Sequence, residues 1–276
     1  MSLSGLRNYM KIAIIGGGPI GLYFASLCQK NQIDYTLFEA AEELGGQVTQ
    51  LYPKKIVTNI PGFDAIVAED YIKGLVSQID LDKVKLGSKI THITDSGPHD
   101  YIINATGRGE FIPRKLTNFS DHFEQDVCNI RYSLKNYDFL AGQNVVIFGG
   151  GDSALDWAKQ LSEICQVALV HRRTEFRGNA ETISGCDLAV LKPYIYTGID
   201  VSKFQKTVRV SKVGELDTYI DIPYDYIFVN FGCDLRPVNF EDESCIIYKV
   251  GDCAGTTTIA AGIAQADQIF EEIING

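Results

Sequence analysis

Gly16, Gly18 and Gly21 stand at G-x-G-x-x-G spacing, after an apolar run at 11–15 and before a helix-like stretch at 20–30. Between a strand and a helix, the first glycine allows a tight turn and the second lets a pyrophosphate approach the backbone. The third lets helix and strand pack closely. The helix N-terminus then faces the negative charge. Glu39 lies 18 residues past Gly21, at the end of the next strand-like run, 35–39. A carboxylate there can accept hydrogen bonds from ribose hydroxyls. The plainer alternative is a glycine-rich turn with an exposed acid. Strand, turn, helix, strand and acid in the right order favour a dinucleotide.

Gly149, Gly151 and Ala154 repeat the pattern as G-x-G-x-x-A, with Asp152 and Ser153 inside it. The end of the following strand holds no acid. It reads His171-Arg172-Arg173, with Arg177 a turn further on, and Arg172 lies 18 residues past Ala154. An acid at that place repels a 2′-phosphate, whereas guanidiniums clamp one through charge-assisted, forked hydrogen bonds. The second site is therefore expected to prefer NADPH over NADH. The alternative is a solvated basic loop, because charge runs are usually wet faces. Two unlike dinucleotide sites on one chain imply a hydride relay, with a resident flavin at the first and a diffusing donor at the second.

These residues need two βαβ openings to hold them. The first comprises strands at 11–15 and 35–39 around a helix at 20–30. The second comprises strands at 145–148 and 167–170 around a helix at about 153–164. Further strands are expected at 101–104, 226–230 and 246–250, and a closing helix at about 258–274. Residues 110–144 read as a polar, irregular linker plus a lead-in to the second unit. The duplicated opening predicts an α/β fold of two Rossmann-like, three-layer (ββα) dinucleotide-binding domains.

The composition narrows the remaining classes. Twenty-five Lys+Arg against 35 Asp+Glu give a net charge of −10, which argues against nucleic acid as a partner. No apolar run reaches the length needed to span a bilayer. Seven cysteines without a C-x-x-C fit a reducing cytoplasm. The four histidines show no metal spacing, and there is no G-x-S-x-G elbow.

Several runs carry a family resemblance: Leu44-Gly45-Gly46-Gln47, Leu51-Tyr52-Pro53-Lys54-Lys55 and Asn59-Ile60-Pro61-Gly62-Phe63. Ala105-Thr106-Gly107, the GGGDSALDWA run from Gly149, the His171–Arg177 run and Gly251-Asp252 belong to the same set. Together they resemble the low-molecular-weight thioredoxin reductase superfamily over nearly the whole chain. The thioredoxin-reductase-like ferredoxin(flavodoxin)–NADP reductases are the nearest branch in kind. A thioredoxin reductase needs a C-x-x-C before the second glycine motif, and Cys128 stands there without a partner.

The resemblance implies that FAD is held by Gly16, Gly18, Pro19, Ile20, Gly21, Glu39, Ala40, Gly46, Gln47, Leu51, Tyr52 and Asn59. Ala105, Thr106, Gly107, Gly251, Asp252, Thr258 and Ile259 complete that set. NADPH falls to Gly149, Gly151, Asp152, Ser153, Ala154, His171, Arg172, Arg173 and Arg177. The implied domains are 1–113 with 224–276 for FAD and 114–223 for NADPH, joined by a two-stranded hinge. The implied activity carries electrons from NADPH through FAD to a small acidic carrier, ferredoxin or flavodoxin, in a cytoplasmic homodimer with no acid, base or nucleophile required. Lys54, Lys55, Arg108, Arg114 and Lys115 are either a docking rim for that carrier or scattered cations.

The sequence also departs from the pattern. The stretch between Lys85 and Ala105 is too short for the superfamily's three-stranded flap, and the second domain is similarly trimmed. Ferredoxin-reducing members continue past the closing helix to cover one flavin face, whereas this sequence ends at Gly276. Two other readings stay open: a disulfide reductase using Cys128 or Cys253 with a partner's thiol, and a non-catalytic flavin-binding sensor or remnant.

Overall fold

The computed structural model describes residues 10–51, 53–54, 56–134, 136–202, 204–236, 238, 240 and 245–275. The side chains of Leu51, Asn59, Phe111 and Leu235 also lie outside the description. The chain divides into two compact units. One runs up to Phe111 and resumes at Leu235, and the other holds Ile112–Asp234.

The first unit opens with β1 (Lys11–Ile15), α1 (Pro19–Lys30) and β2 (Asp34–Phe38). There follow α2 (Gln47–Leu51), the hairpin β3 (Ile56–Ile60) and β4 (Phe63–Val67), and α3 (Ala68–Val76). The short β5 (Val84–Lys85) and β6 (Tyr101–Asn104) lead to the crossing. Between them stands a 3-10 turn, Ile93–Ser96, and no flap strand is present among the described residues. After the second unit the chain returns through β17 (Ile246–Lys249) to the closing helix α5 (Ile259–Asn275).

The main sheet has the order β17-β6-β1-β2-β5, and its ladders are parallel. Its central strands β1 and β6 are buried on both faces, which is why they read as apolar runs. Ile12 and Ile14 pack with Leu22, Phe24 and Phe270 from α1 and α5. Ala13 and Ile15 pack on the opposite side with Ile90, Ile102 and Phe240.

The crossing strand β7 (Glu110–Pro113) leads to β8 (Ile130–Arg131), β9 (Asn144–Gly149), α4 (Asp152–Ser162) and β10 (Gln166–Val170). Next come β11 (Leu188–Leu191) and the meander β12 (Tyr194–Asp200), β13 (Thr207–Lys212) and β14 (Glu215–Pro223). β15 (Tyr226–Asn230) and the returning β16 (Cys233–Arg236) complete the passage, with β16 and β7 paired as a two-stranded sheet. The second unit's main sheet runs β11-β10-β9-β15-β8.

β9 separates two layers by residue parity. Val145 and Ile147 pack with Leu155, Trp157 and Leu161 of α4. Val146 and Phe148 pack instead with Val208 and Val210 of the antiparallel meander. Helix, parallel sheet and meander make the three-layer ββα arrangement.

One boundary differs from the expectation. The return crossing follows Asp234 rather than residue 223, because β15 pairs in parallel with β9 from Tyr226 opposite Val145 to Asn230 opposite Gly149. Within 110–144, the lead-in to the second unit includes β8, which pairs with β15 at the edge of the sheet.

Candidate functional sites

In a parallel sheet all strands end at one edge, and in the first unit that edge gathers the first glycine motif. Gly16 has φ +109°, and a Cβ on it would stand 2.5 Å from the Ala105 carbonyl oxygen. A Cβ on Gly21 would overlap the Gly16 carbonyl. Gly18 differs, having nothing within 4 Å of the Cβ position. It is the extended N-cap of α1, without a side-chain cap and with Pro19 in the first turn. Space is therefore open at the Gly18 Cβ position, at the start of α1.

Around this turn, Glu39 accepts from Gly17 N at 2.7 Å and from Ala41 N at 2.8 Å, one bond per carboxylate oxygen. Each oxygen keeps a lone pair for a ribose hydroxyl. Gly46 lies against Gly18, since a Cβ on it would stand 3.1 Å from the Gly18 Cα. Gln47 begins α2 directly after it, and Ala40 is exposed beside Glu39.

Ile20 is clasped by the returning segment. A Cβ on Gly251 or Gly262 would lie 3.3 or 2.6 Å from its side chain. Gly251 N donates to Gln265 Oε1 at 2.9 Å, and Asp252 accepts from Arg108 Nε at 3.1 Å. Thr106 donates from N and Oγ1 to Asn104 Oδ1, at 3.2 and 2.7 Å. Asn104 is fully buried, and Gly107 opens left-handed at φ +61°.

Thr258 caps α5 by accepting from Ala261 N at 3.2 Å, so Ile259 leads that helix. Just before it, Thr256 Oγ1 is buried with no partner. Asn59 belongs to the β3–β4 hairpin rather than the main sheet edge. Tyr52 and the side chains of Leu51 and Asn59 lie outside the described residues.

The second unit repeats the edge. Gly149 is closed in by Ala154 Cβ and the Asn230 carbonyl, each 2.7 Å from where its Cβ would be. Gly151 is the extended N-cap of α4. The arginine loop folds back onto this turn. Arg177 N and Gly178 N donate to Gly150 O at 2.7 and 3.1 Å, and Asn179 N donates to Asp152 Oδ1 at 3.1 Å. Asp152 thus pins the loop, and Ser153 and Ala154 form the first turn of α4.

His171 is buried directly beneath Gly150. Its Nε2 donates to the Glu175 carbonyl at 3.0 Å, which leaves Nδ1 bare in the neutral ring. Burial pushes its pKa below the ordinary value, and the charges of Arg173, Lys192 and Arg172 add to that. His171 therefore spaces the arginine loop from the glycine turn. Arg172, Arg173 and Arg177 are exposed, and Arg177 comes within 3.0 Å of where a Gly151 Cβ would stand. A cleft of about 490 Å³ joins these arginines to the glycine turn, Asn230, Phe231, Tyr196 and Arg114.

Sequence reasoning missed several of these residues. Gly178 packs onto the turn, where a Cβ would meet Asp152 N at 2.6 Å, and its position directly after Arg177 was a readable signal. Tyr196, Asn230 and Phe231 reach the cleft only through long-range strand pairing, and no local pattern marks them.

The cysteines and the expected docking rim behave differently from the glycine sites. Cys128 is fully buried and burial raises its pKa. Cys253 donates to the Asn104 and Val250 carbonyls at 3.0 and 3.2 Å, and burial raises its pKa too. Both are protonated thiols, poor nucleophiles for disulfide exchange. Of the cations read as a rim, Arg108 pairs with Asp252, Arg114 with Asp234, and Lys115 with Asp121 and Glu124. Lys55 lies outside the described residues.

Residues 10–251 match the family described as pyridine nucleotide-disulphide oxidoreductase. The chain belongs to that family. It is therefore an oxidoreductase enzyme. A ferredoxin–NADP reductase of Lactobacillus johnsonii is 34% identical over 235 residues, covering 80% of this chain and 73% of its own. Another, from Streptococcus pyogenes serotype M3, is 31% identical over 314 positions, covering 96% of this chain and 92% of its own. The fold is that of Lactococcus lactis thioredoxin reductase in its FR conformation, with a TM-score of 0.70 and 21% identity. That match covers 96% of this chain and 98% of the other.

Proposed function

We propose that this chain carries electrons from NADPH through FAD to a small electron carrier, ferredoxin or flavodoxin. Its cofactors are FAD and NADPH. The observation that carries the assignment of each to its site is the contrast between the strand ends. Glu39 meets the first glycine turn, and three exposed arginines meet the second. In support of FAD at the first, space is open at the Gly18 Cβ position, Glu39 keeps free lone pairs, and Thr256 Oγ1 lacks a partner. The second turn offers the same backbone cradle with a cationic wall, suited to a 2′-phosphate.

FAD held by the first unit would supply a hydride acceptor for NADPH and a one- or two-electron donor for the carrier. The chain's own residues bind and orient. The α1 N-terminus and Gly18 receive the pyrophosphate, Glu39 the ribose, and Gly251 with Asp252 the chain that leads to the flavin ring. Arg172, Arg173 and Arg177 receive the 2′-phosphate of NADPH. The FAD role falls to the unit that contains β1, and the NADPH role to the unit that contains β9. Support for the carrier comes from the relatives named ferredoxin–NADP reductase. A homodimer joined through the FAD unit and a cytoplasmic location complete the reading. No helix among the described residues is long and apolar enough to cross a membrane.

The test is the visible spectrum of the purified chain under anaerobic conditions, before and after NADPH or NADH. Flavin bands that bleach with NADPH much faster than with NADH, then recover on adding oxidised ferredoxin or flavodoxin, are expected. A bound flavin that neither nucleotide reduces would overturn the proposal.

A further inference from the structure

The arginine cleft continues beyond the glycine turn, and its far end has a different chemistry. In the second unit's sheet, β10, β9 and β15 are consecutive neighbours. Arg172 follows the end of β10, the glycine turn follows β9, and Asn230 is the last residue of β15. Adjacent strands are spaced by about 4.8 Å, so the three ends lie across about 10 Å, a distance an extended dinucleotide spans. All three line the one cleft of about 490 Å³.

Asn230 is fixed there by the sheet. It stands opposite Gly149 in the β15–β9 ladder, and a Cβ on Gly149 would come within 3.1 Å of its own Cβ. Its Nδ2 is buried and has no hydrogen-bond partner. An amide donor left unmatched in a folded protein is costly unless a ligand supplies the acceptor. Because nothing holds Nδ2, turning the amide into the cleft breaks no bond. The next residue, Phe231, leaves 41% of its surface exposed, and Tyr196 shares the wall. An amide flanked by aromatic rings suits a flat aromatic ring bearing a carboxamide. No carboxylate lines this cleft among the described residues.

We infer that Asn230 is a binding residue for the nicotinamide half of the second nucleotide, donating from Nδ2 to its carboxamide or ribose oxygen. The inference rests on the NADPH reading of the arginine cleft and adds polarity to it. With the 2′-phosphate at the β10 end and the pyrophosphate on the β9 turn, the nicotinamide half must point to the end of β15. Asn230, opposite the glycine turn, then sets where that half leaves the cleft.

The experiment compares NADP⁺ with adenosine 2′,5′-bisphosphate, which carries the 2′-phosphate but no nicotinamide, by calorimetric titration of the flavin-loaded protein. Asn230→Ala keeps the Cβ that packs near Gly149. It is expected to weaken NADP⁺ by roughly 3- to 10-fold, the worth of one hydrogen bond, and to leave the bisphosphate unchanged. Arg173→Ala is expected to weaken both. Equal affinity of wild type and Asn230→Ala for NADP⁺, or equal weakening of both ligands by Asn230→Ala, would overturn the role of Asn230 while leaving the NADPH site intact. Failure of the wild-type chain to bind either ligand would overturn the NADPH reading itself, and this role with it. Amide exchange across β9 and β15 in the variant reports the ladder directly, so a loss of binding that comes with a loosened ladder also counts against the inference.

Discussion

The Glu39 carboxylate accepts the amide proton of Gly17 at 2.7 Å, tying the end of β2 to the glycine turn after β1. Its other oxygen accepts from Ala41 N at 2.8 Å, so one side chain orders both sides of the turn. Glu39→Ala leaves two backbone donors without their acceptor. The expected cost is about 1–3 kcal/mol of stability, read by urea denaturation of the flavin-free chain, together with reduced flavin retention on purification. A variant that holds flavin as tightly as wild type would remove Glu39 from the FAD site.

Arg172 and Arg173 are expected to set coenzyme choice. Replacing both by Ala removes charge-assisted bonds to a 2′-phosphate, so NADPH affinity should fall about tenfold or more. NADH affinity should change little. Raising the salt concentration should weaken NADPH binding to wild type and much less to the double variant. Parallel losses for both nucleotides would assign the arginines to the loop's structure instead.

Neighbouring glycines of the second turn should respond very differently to alanine. At Gly150 a Cβ would overlap the buried His171 ring, which cannot withdraw. At Gly151 it would stand 3.0 Å from the far end of the exposed Arg177 side chain, which can. Gly150→Ala is therefore expected to destabilise the chain by about 1–3 kcal/mol or more, and Gly151→Ala far less. Gly151→Ala should still impair NADPH binding, because the added methyl narrows the approach to the turn. Thermal denaturation and nucleotide titration of the two variants separate the effects.

Much of this arrangement was legible because parallel strands buried on both faces give unbroken apolar runs. Residues 11–15 and 101–104 read as strands for that reason, and their glycine-bearing ends read as sites. The meander resisted reading for the opposite reason. β14 is exposed along most of its length, and Leu216, Tyr219 and Ile220 face solvent, so no burial pattern marks it. Asn230 was legible as the end of a strand but not as part of the arginine cleft. Its place depends on β15 pairing with β9, far away in the sequence. His171 was legible as a neighbour of the arginines in the expected NADPH site, but its packing beneath Gly150 was not, because the ring meets the turn only in the folded sheet.

Neither Cys128 nor Cys253 should carry redox chemistry. Both are protonated and half-buried or buried. Cys128→Ala and Cys253→Ala are expected to retain NADPH-driven reduction of the flavin, and the native chain should react slowly with iodoacetamide at these positions at neutral pH. Rapid labelling of Cys253, or loss of acceptor turnover only when a thiol is removed, would revive the disulfide-reductase reading.

His171 gives the second unit an acid-sensitive point. Its pKa is lowered in the folded chain because burial disfavours the charged ring, so the unfolded chain binds a proton at a pH where the folded one does not. Above about pH 6.5, the ordinary histidine value, both states are neutral and the residue has no influence on the pH dependence of stability. As the pH falls below that value, its contribution to stability should decline until the folded pKa is passed. His171→Gln, which can still donate to the Glu175 carbonyl, should remove this component. The measurement is the urea midpoint of both proteins from pH 8 to pH 5. Wild type should lose more stability than the variant below about pH 6.5, and the two curves should run parallel above it. Curves that stay parallel over the whole range would mean that the fold leaves the ring's titration unshifted, and burial would then not govern it.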